Sequence, residues 1–492
     1  MMRMKITHII FLICFFSSLT AQVPQPILQL LKADYMKGAS FSLIAKEVKT
    51  GEILYSYDEQ RQVIPASVLK TVTTATALEL LGNDYRFPTY IEYDGEIVNG
   101  VLTGNLYIKG SGDPTLGSAH LVADRNTYTL DQNTFIPQWI AGIKEAGIKS
   151  ITGAVIADES IFDTEGISPK WLWEDMGSYY GAASYGLNVF DNLFHLELST
   201  GNAGEQPAIL RTKPEMKSLN LYNHLVTASV ATDSAFIMGA PYSTERYLYG
   251  VVPVNRNPLI IKGDIPNPPL FLAEYLNESL HKNGITIEGK PSCSSIDRGE
   301  KQITKDRKVL ITTYSPPLSK IVRITNERSH NLYADAVFKT LGLSYQSQRG
   351  EFLSSYGKAS KAVEKFWKEK GMDISTLWMY DGSGLASTDK VSAAFMGEML
   401  TYMATRSPES EAFMQSFPKV GQEGTVRNFL RGSSLQGRAV LKSGGMSRVK
   451  SYAGYITKDG KQYAVAVFVN NYNCEGREMT RALEKLLLAL FE

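Results

Sequence analysis

Apolar and polar positions along this chain follow two rhythms, and the change from one to the other divides it. Residues 27–31 read as a short amphipathic helix. A strand over 41–48, a turn at Lys49-Thr50-Gly51 and a second strand over 52–57 follow. Between Pro65 and Gly82 the apolar residues Val68, Leu69, Val72, Ala75, Leu78 and Leu81 recur largely at helical spacing, which predicts a packed helix over 67–81. From about Arg86 to Asn255 short alternating runs take over, such as 90–93, 104–109 and 194–198, broken by Gly, Asn, Asp and Pro; this texture predicts strands. Helical spacing returns over 270–283, 332–343 and 359–370. The chain ends on a strand over 452–457, an Asp459-Gly460 turn, a strand over 463–470 and a helix over 477–491 packed on that hairpin. No repeat or low-complexity segment interrupts the pattern.

The first residues change the picture of where the protein works. Arg3 and Lys5 precede an apolar run over 9–16 and then Ser17, Ser18, Leu19, Thr20 and Ala21, the order of a secretory signal peptide cleaved near Ala21. The run falls short of the roughly 20 apolar residues of a spanning helix, so no transmembrane span is expected after cleavage. Bulky Leu12 and Ile13 before Cys14 argue against a lipoprotein. The expectation is an exported protein of the periplasm or cell envelope.

Composition mainly excludes. The 492 residues, 43% of them apolar, suffice for about three packed domains. Lys and Arg number 51 against 50 for Asp and Glu, so no whole-chain field draws nucleic acid or an anionic membrane. After the signal only Cys293 and Cys474 remain, too few for a disulfide framework and without zinc spacing; whether they pair stays open. The six histidines are scattered along the chain, and neither metal nor cofactor is expected.

Ser67 and Lys70 stand three apart at the start of a helix, where one turn brings the amine beside the hydroxyl. A neutral lysine amine can activate a serine if burial or a second cation depresses its pKa. The same spacing recurs at Ser279/Lys282, Ser355/Lys358, Ser387/Lys390, Ser416/Lys419 and Ser447/Lys450, where a solvated lysine is the simpler reading. Two triplets single out Ser67. Ser329-His330-Asn331 lies just before a helix, and Lys442-Ser443-Gly444 lies on or beside a strand near the final hairpin. Ser-x-x-Lys, Ser-x-Asn and Lys-Thr-Gly in this chain order mark serine acyl-enzymes that handle penicillin or D-alanyl peptides. Lys49-Thr50-Gly51 also matches the third motif, but it precedes Ser67 and suits a hairpin turn.

With these motifs the chain resembles the low-molecular-weight class C penicillin-binding proteins, D-Ala-D-Ala carboxypeptidases that often act also as D,D-endopeptidases. The resemblance covers nearly the whole mature chain. It runs through Pro65 to Lys70, Gly104 to Leu116, Ser315-Pro316-Pro317-Leu318, Ser329 to Asp335, Asp381-Gly382-Ser383-Gly384-Leu385, Lys442-Ser443-Gly444 and Ser451 to Tyr455. It implies an α+β fold: a transpeptidase/β-lactamase-like domain, with an antiparallel sheet flanked by helices, interrupted by two strand-rich inserted domains. On this reading residues 1–21 are the signal, 22–86 and 308–492 the catalytic domain, 87–190 and 256–307 an inserted domain, and 191–255 a second domain nested within it.

Carried onto this chain, the resemblance makes Ser67 the acylated nucleophile and Lys70 its base. Ser329 would relay a proton to the leaving group, and Asn331 would bind the substrate amide. Lys442 would help keep Lys70 neutral and attract the terminal carboxylate. Ser443, Gly444, Gly445 and Arg448 complete the substrate site, with the Ser67 and Gly445 backbone N–H groups as oxyanion hole. The implied partners are peptidoglycan stem peptides and β-lactam antibiotics. Three rivals stand beside this reading. One is a β-lactamase, which shares the motifs but not the long insertion. Another is a non-catalytic peptidoglycan-binding protein. The third is an α/β-hydrolase with Ser184 in Ala182-Ala183-Ser184-Tyr185-Gly186, a loose nucleophile elbow without its first glycine.

Overall fold

The computed structural model describes residues 23–124, 135–297 and 306–492; the expected signal peptide lies outside them. Its main body is built on one five-stranded antiparallel sheet. Strand Lys461–Asn470 sits at the centre, flanked by Ser40–Glu47 and Val449–Lys458, with Ile53–Tyr57 and Ala439–Met446 at the edges. The central strand is apolar almost throughout because helices cover both its faces. Ala464, Ala466 and Phe468 enter one core, while Tyr463, Val465, Val467 and Val469 enter another. The period-2 pleat thus serves two compartments at once. The second core is closed by the C-terminal helix Gly476–Phe491, which buries Met479, Leu483, Leu486, Leu487, Leu490 and Phe491.

On the other face lies the helix that carries the first motif. Its start is a 3-10 turn, Ala66–Leu69, continuing as the α-helix Lys70–Leu81, which Gly82 ends at φ +82°. The residues from Lys70 to Leu78 are all buried, so this is a core helix, surrounded by Leu318–Arg328, Asn331–Leu341, Ser355–Glu369 and Ala393–Thr405. Four buried threonines are tolerated there because each hydroxyl has an acceptor. Thr71, Thr74 and Thr76 donate to the carbonyls of Val68, Lys70 and Val72, and Thr73 donates to Gly382 O at 2.7 Å.

Between the two parts of this body the chain forms further sheets. A five-stranded sheet has the order Ser292–Cys293, Val155–Asp158, Leu106–Lys109, Pro88–Tyr93, Lys308–Tyr314. It shares a core with the helices Phe135–Glu145 and Pro268–Lys282. The helix Phe135–Glu145 lies within the stretch that reads as strand-rich and is not singled out there: Phe135, Ile136, Trp139, Ile140 and Ile143 fall on one helical face and are all buried. A smaller cluster, including Phe194, Leu196, Leu198, Leu225, Ile237, Leu248 and Ile261, unites the strands between Leu193 and Asp264. Buried Arg246 there is paired with Asp264 at 2.8 Å. Cys293 and Cys474 are both free thiols.

Candidate active site

Three elements converge where the motifs meet. Lys70 is completely buried and its Nζ lies 3.0 Å from Ser67 Oγ, with Asn331 Oδ1 and Ser383 O each at 2.6 Å. Asn331 opens the helix Asn331–Leu341, and Ser329 stands before it in the left-handed region at φ +60°. Lys442, on strand Ala439–Met446, is also completely buried and donates to Ser329 Oγ at 3.0 Å and to Ser443 O at 2.6 Å. Ser67, Ser329, Asn331 and Ser443 are half-buried. Four hydroxyl or amide groups therefore reach solvent above two buried amines.

The close approach of strand and helix requires glycine. A Cβ on Gly444 would lie 2.3 Å from Ser451 Oγ and 2.7 Å from Pro65 O, so no larger residue lets the strand lie against the Ser67 turn. Gly384, at φ +74°, is similarly pinned, since its Cβ would stand 2.0 Å from Ala66 O. Ala66 itself is held at φ +47°, a costly conformation for a residue with a Cβ, immediately before the serine.

Burial holds the Lys70 amine down at about 8, against the opposing pull of Asp335, Asp381 and Asp389. Lys442 is driven well below the ordinary lysine range, first by burial and then by the charge of Lys70. The carboxylates favour the charged form of Lys70, whereas at Lys442 the second influence is the charge of Lys70 itself. Burial, one of the two causes expected from sequence, is the first cause of the shift at Lys70. Asp335 and Asp389 are both pushed far up by burial and by Asp381.

Sequence reasoning assigned no role to Asp381, which shapes the loop beside Lys70. Asp381 accepts five hydrogen bonds: the N–H groups of Ser383 and Gly384 at one oxygen, and those of Leu385, Ala386 and Trp171 Nε1 at the other. The loop so gathered presents Ser383 O to Lys70. The run Asp381-Gly382-Ser383-Gly384-Leu385 is part of the family resemblance, but no role is attached to it there. The intervening segment also reaches the site, because Asn331 Nδ2 donates to Tyr180 O at 2.8 Å. Lys339 donates to Glu165 O and Ser184 O, both at 2.9 Å. Ser184 is completely buried, which removes it as an accessible nucleophile. Lys49-Thr50-Gly51 forms the turn between the first two strands, as expected.

At the outer end of the lysine strand, Gly445 is exposed and pairs with Lys450, whose Nζ would lie 3.5 Å from a Cβ at Gly445. Arg448 sits exposed in the hairpin turn beyond, at φ +56°. Lys450 is thus a cation beside Gly445 that the motif reading passed over. The scattered histidines are not all scattered in space: His120 and His330 approach each other and Asp191.

Taken together, a half-buried serine, a buried lysine of depressed pKa and a second buried lysine form a candidate site for serine acyl transfer. The chain belongs to the D-Ala-D-Ala carboxypeptidase 3 (S13) family, whose model matches residues 25–490. It is 26% identical over 456 residues to a D-alanyl-D-alanine carboxypeptidase of Actinomadura sp., covering 90% of this chain and 80% of that protein. It is 25% identical over 443 residues to the D-alanyl-D-alanine carboxypeptidase DacB of Haemophilus influenzae, covering 89% of this chain and 86% of the relative. The crystal structure of penicillin binding protein 4 (dacB) from Haemophilus influenzae superposes with a TM-score of 0.77 at 23% identity, covering 94% of this chain and 98% of that one. The low-molecular-weight class C assignment and the α+β transpeptidase-like fold with additional domains both stand.

Proposed function

We propose that this protein hydrolyses D-Ala-D-Ala peptides of peptidoglycan through an acyl-enzyme on Ser67, as carboxypeptidase, endopeptidase or both. The observation that carries the assignment is the 3.0 Å approach of Ser67 Oγ to a Lys70 amine that burial holds at about 8. A neutral amine has two hydrogens, and Asn331 Oδ1 and Ser383 O accept both. Its lone pair is then left for the Ser67 proton. Ser67 Oγ attacks the carbonyl of the penultimate D-alanine, and Lys70 takes the hydroxyl proton. The tetrahedral oxyanion rests on the Ser67 and Gly445 N–H groups, a kind of contact that contributes about 3 kcal/mol elsewhere. As the C–N bond breaks, Ser329 relays a proton to the departing amine, and water then releases the acyl group. Asn331 binds the peptide amide, while Lys442 and Ser443 face the terminal carboxylate.

The expected place of action is the cell envelope outside the cytoplasmic membrane. The opening pattern of basic, apolar and small residues supports it, as does the substrate. Among the described residues no helix is long and apolar enough to cross a membrane. The segment after Arg86 is proposed to be inserted into the catalytic domain; the pairing of Lys308–Tyr314 with Pro88–Tyr93 favours moving the return from the expected residue 308 to near Ser315. We retain the nested unit over 191–255 as part of that reading.

Incubation with a labelled penicillin, followed by mapping of the modified peptide, tests the assignment. A long-lived adduct on Ser67 is expected. Rapid repeated turnover of the drug would instead make the protein a β-lactamase, and an absence of adduct would make it a non-catalytic wall-binding protein.

Two further results are expected. The acylation rate should rise as pH rises, tenfold per unit, and level off above about 8, because only the neutral form of Lys70 accepts a proton. A flat rate between pH 6 and about 9 would remove Lys70 as the base. Second, Gly445→Thr should tighten binding of peptides with a free carboxylate by at most about 1.5 to 3 kcal/mol, the worth of one charge-assisted hydrogen bond. Its Cβ meets nothing nearer than 3.5 Å. Lys450→Ala should weaken the same peptides more than Arg448→Ala does. Inhibition constants for matched peptides with free and amidated ends give the comparison, and equal effects on both ends would refute it.

A further inference from the structure

Behind the Ser329 turn, three side chains of metal-ligating type meet from parts of the chain far apart in sequence. His120 belongs to the short helix Ala119–Asp124, Asp191 to the turn Phe190–Asn192, and His330 lies between Ser329 and Asn331. One ligand atom from each lies within 4.8 Å of the others. Asp191 Oδ1 stands 3.6 Å from His330 Nε2, and the two imidazoles meet edge to face with centroids 5.0 Å apart.

What distinguishes this cluster from an ordinary polar contact is what remains unsatisfied. Asp191 is only 6% exposed, and its Oδ1, turned towards His330, has no hydrogen-bond partner among the described residues; nor has His330 Nδ1. Leaving two buried polar atoms unpaired is costly, and an ion at this place would satisfy the carboxylate. The ligand is also held in position. Asp191 Oδ2 accepts from Ala119 N–H, so Oδ1 is the oxygen left over, and Asn192 fixes the turn by accepting from Val189 N–H and donating to Ala183 O. The ring of His330 is braced on Tyr333, 4.2 Å away.

We infer that His120, Asp191 and His330 form a binding site for a divalent transition-metal ion of the zinc type. Two imidazoles and one carboxylate suit zinc and its neighbours in the transition series, whereas calcium and magnesium call for oxygen ligands. Three protein ligands leave a fourth position for water, and exposed His120 gives the ion a path in from solvent. The ion would tie two strand-bearing segments to the turn that carries Ser329 and Asn331. It is a structural clip, placed outside the acyl-transfer chemistry.

The test uses the full mature chain, stripped with a chelator and given Zn²⁺ alone. The melting temperature is expected to rise with the logarithm of free Zn²⁺, and Mg²⁺ or Ca²⁺ at the same concentration should leave it unchanged. Co²⁺ in place of zinc should add visible ligand-field absorption that saturates at about one ion per chain. His120→Ala, an exposed change outside the catalytic machinery, should abolish both effects while Ser67 is still labelled by penicillin. Asp191→Asn should do the same if it folds. No rise with Zn²⁺ in the wild type, or an undiminished rise in His120→Ala, overturns the site. Penicillin labelling, read in the same samples, reports separately on the proposed function.

Discussion

Replacing Ser67 by alanine is expected to abolish covalent penicillin labelling and D-Ala-D-Ala hydrolysis completely, without unfolding the protein. The loss is total because no second hydroxyl can take over. Ser329 Oγ already accepts from Lys442, and its role depends on a leaving group that never forms. The buried hydroxyl of Ser184 lies beneath the loop that Lys339 holds. Ser67 is half-buried and Lys70 is the one side chain that hydrogen-bonds its Oγ among the described residues, so removing one oxygen breaks one such bond. Mass spectrometry after incubation with penicillin, with a thermal melt alongside, decides the matter. A persisting adduct would move the nucleophile elsewhere.

The second large effect belongs to Lys70. Lys70→Ala should slow acylation by about 10² to 10⁴, the usual worth of a positioned general base, while initial non-covalent binding changes little. Its removal takes a cation from beside three carboxyl groups. Asp335 and Asp389 are held towards their neutral forms by burial and by Asp381, so the fold has less charge to lose than a count of carboxylates suggests. Lys70→Arg should rescue nothing, because a guanidinium keeps its proton. Stopped-flow acylation separates the binding step from the chemical one. Equal loss in both would make Lys70 a scaffold instead of a base.

Much of this arrangement was legible from the order of residues. Ser67 and Lys70 are three apart on a helix, and that local geometry needs no tertiary knowledge. The final hairpin and helix announced themselves through an Asp-Gly turn and long apolar runs, and they lie where expected. The helix Phe135–Glu145 carried its own periodicity, but strand-like runs on both sides masked it. The run from Asp381 to Leu385 was visible as part of the resemblance, but the work of Asp381 was not, because it arises from five donors brought together by folding. Depth cannot be read from a motif, and burial is the first cause of the shift at both lysines.

The pairing of strand Ser40–Glu47 with Lys461–Asn470 has a consequence for the order of assembly. The first strand leaves the ribosome long before its central partner, so the sheet cannot close until residues 461–470 have been made. Contacts this distant along the chain are slow to form and leave an open edge meanwhile. Ser67 and Lys70 are synthesised long before the strand that brings Lys442 against them. A nascent chain therefore carries the proposed nucleophile without a working site until residues 461–470 have emerged, and a truncation before Lys461 should yield no acylable species at all.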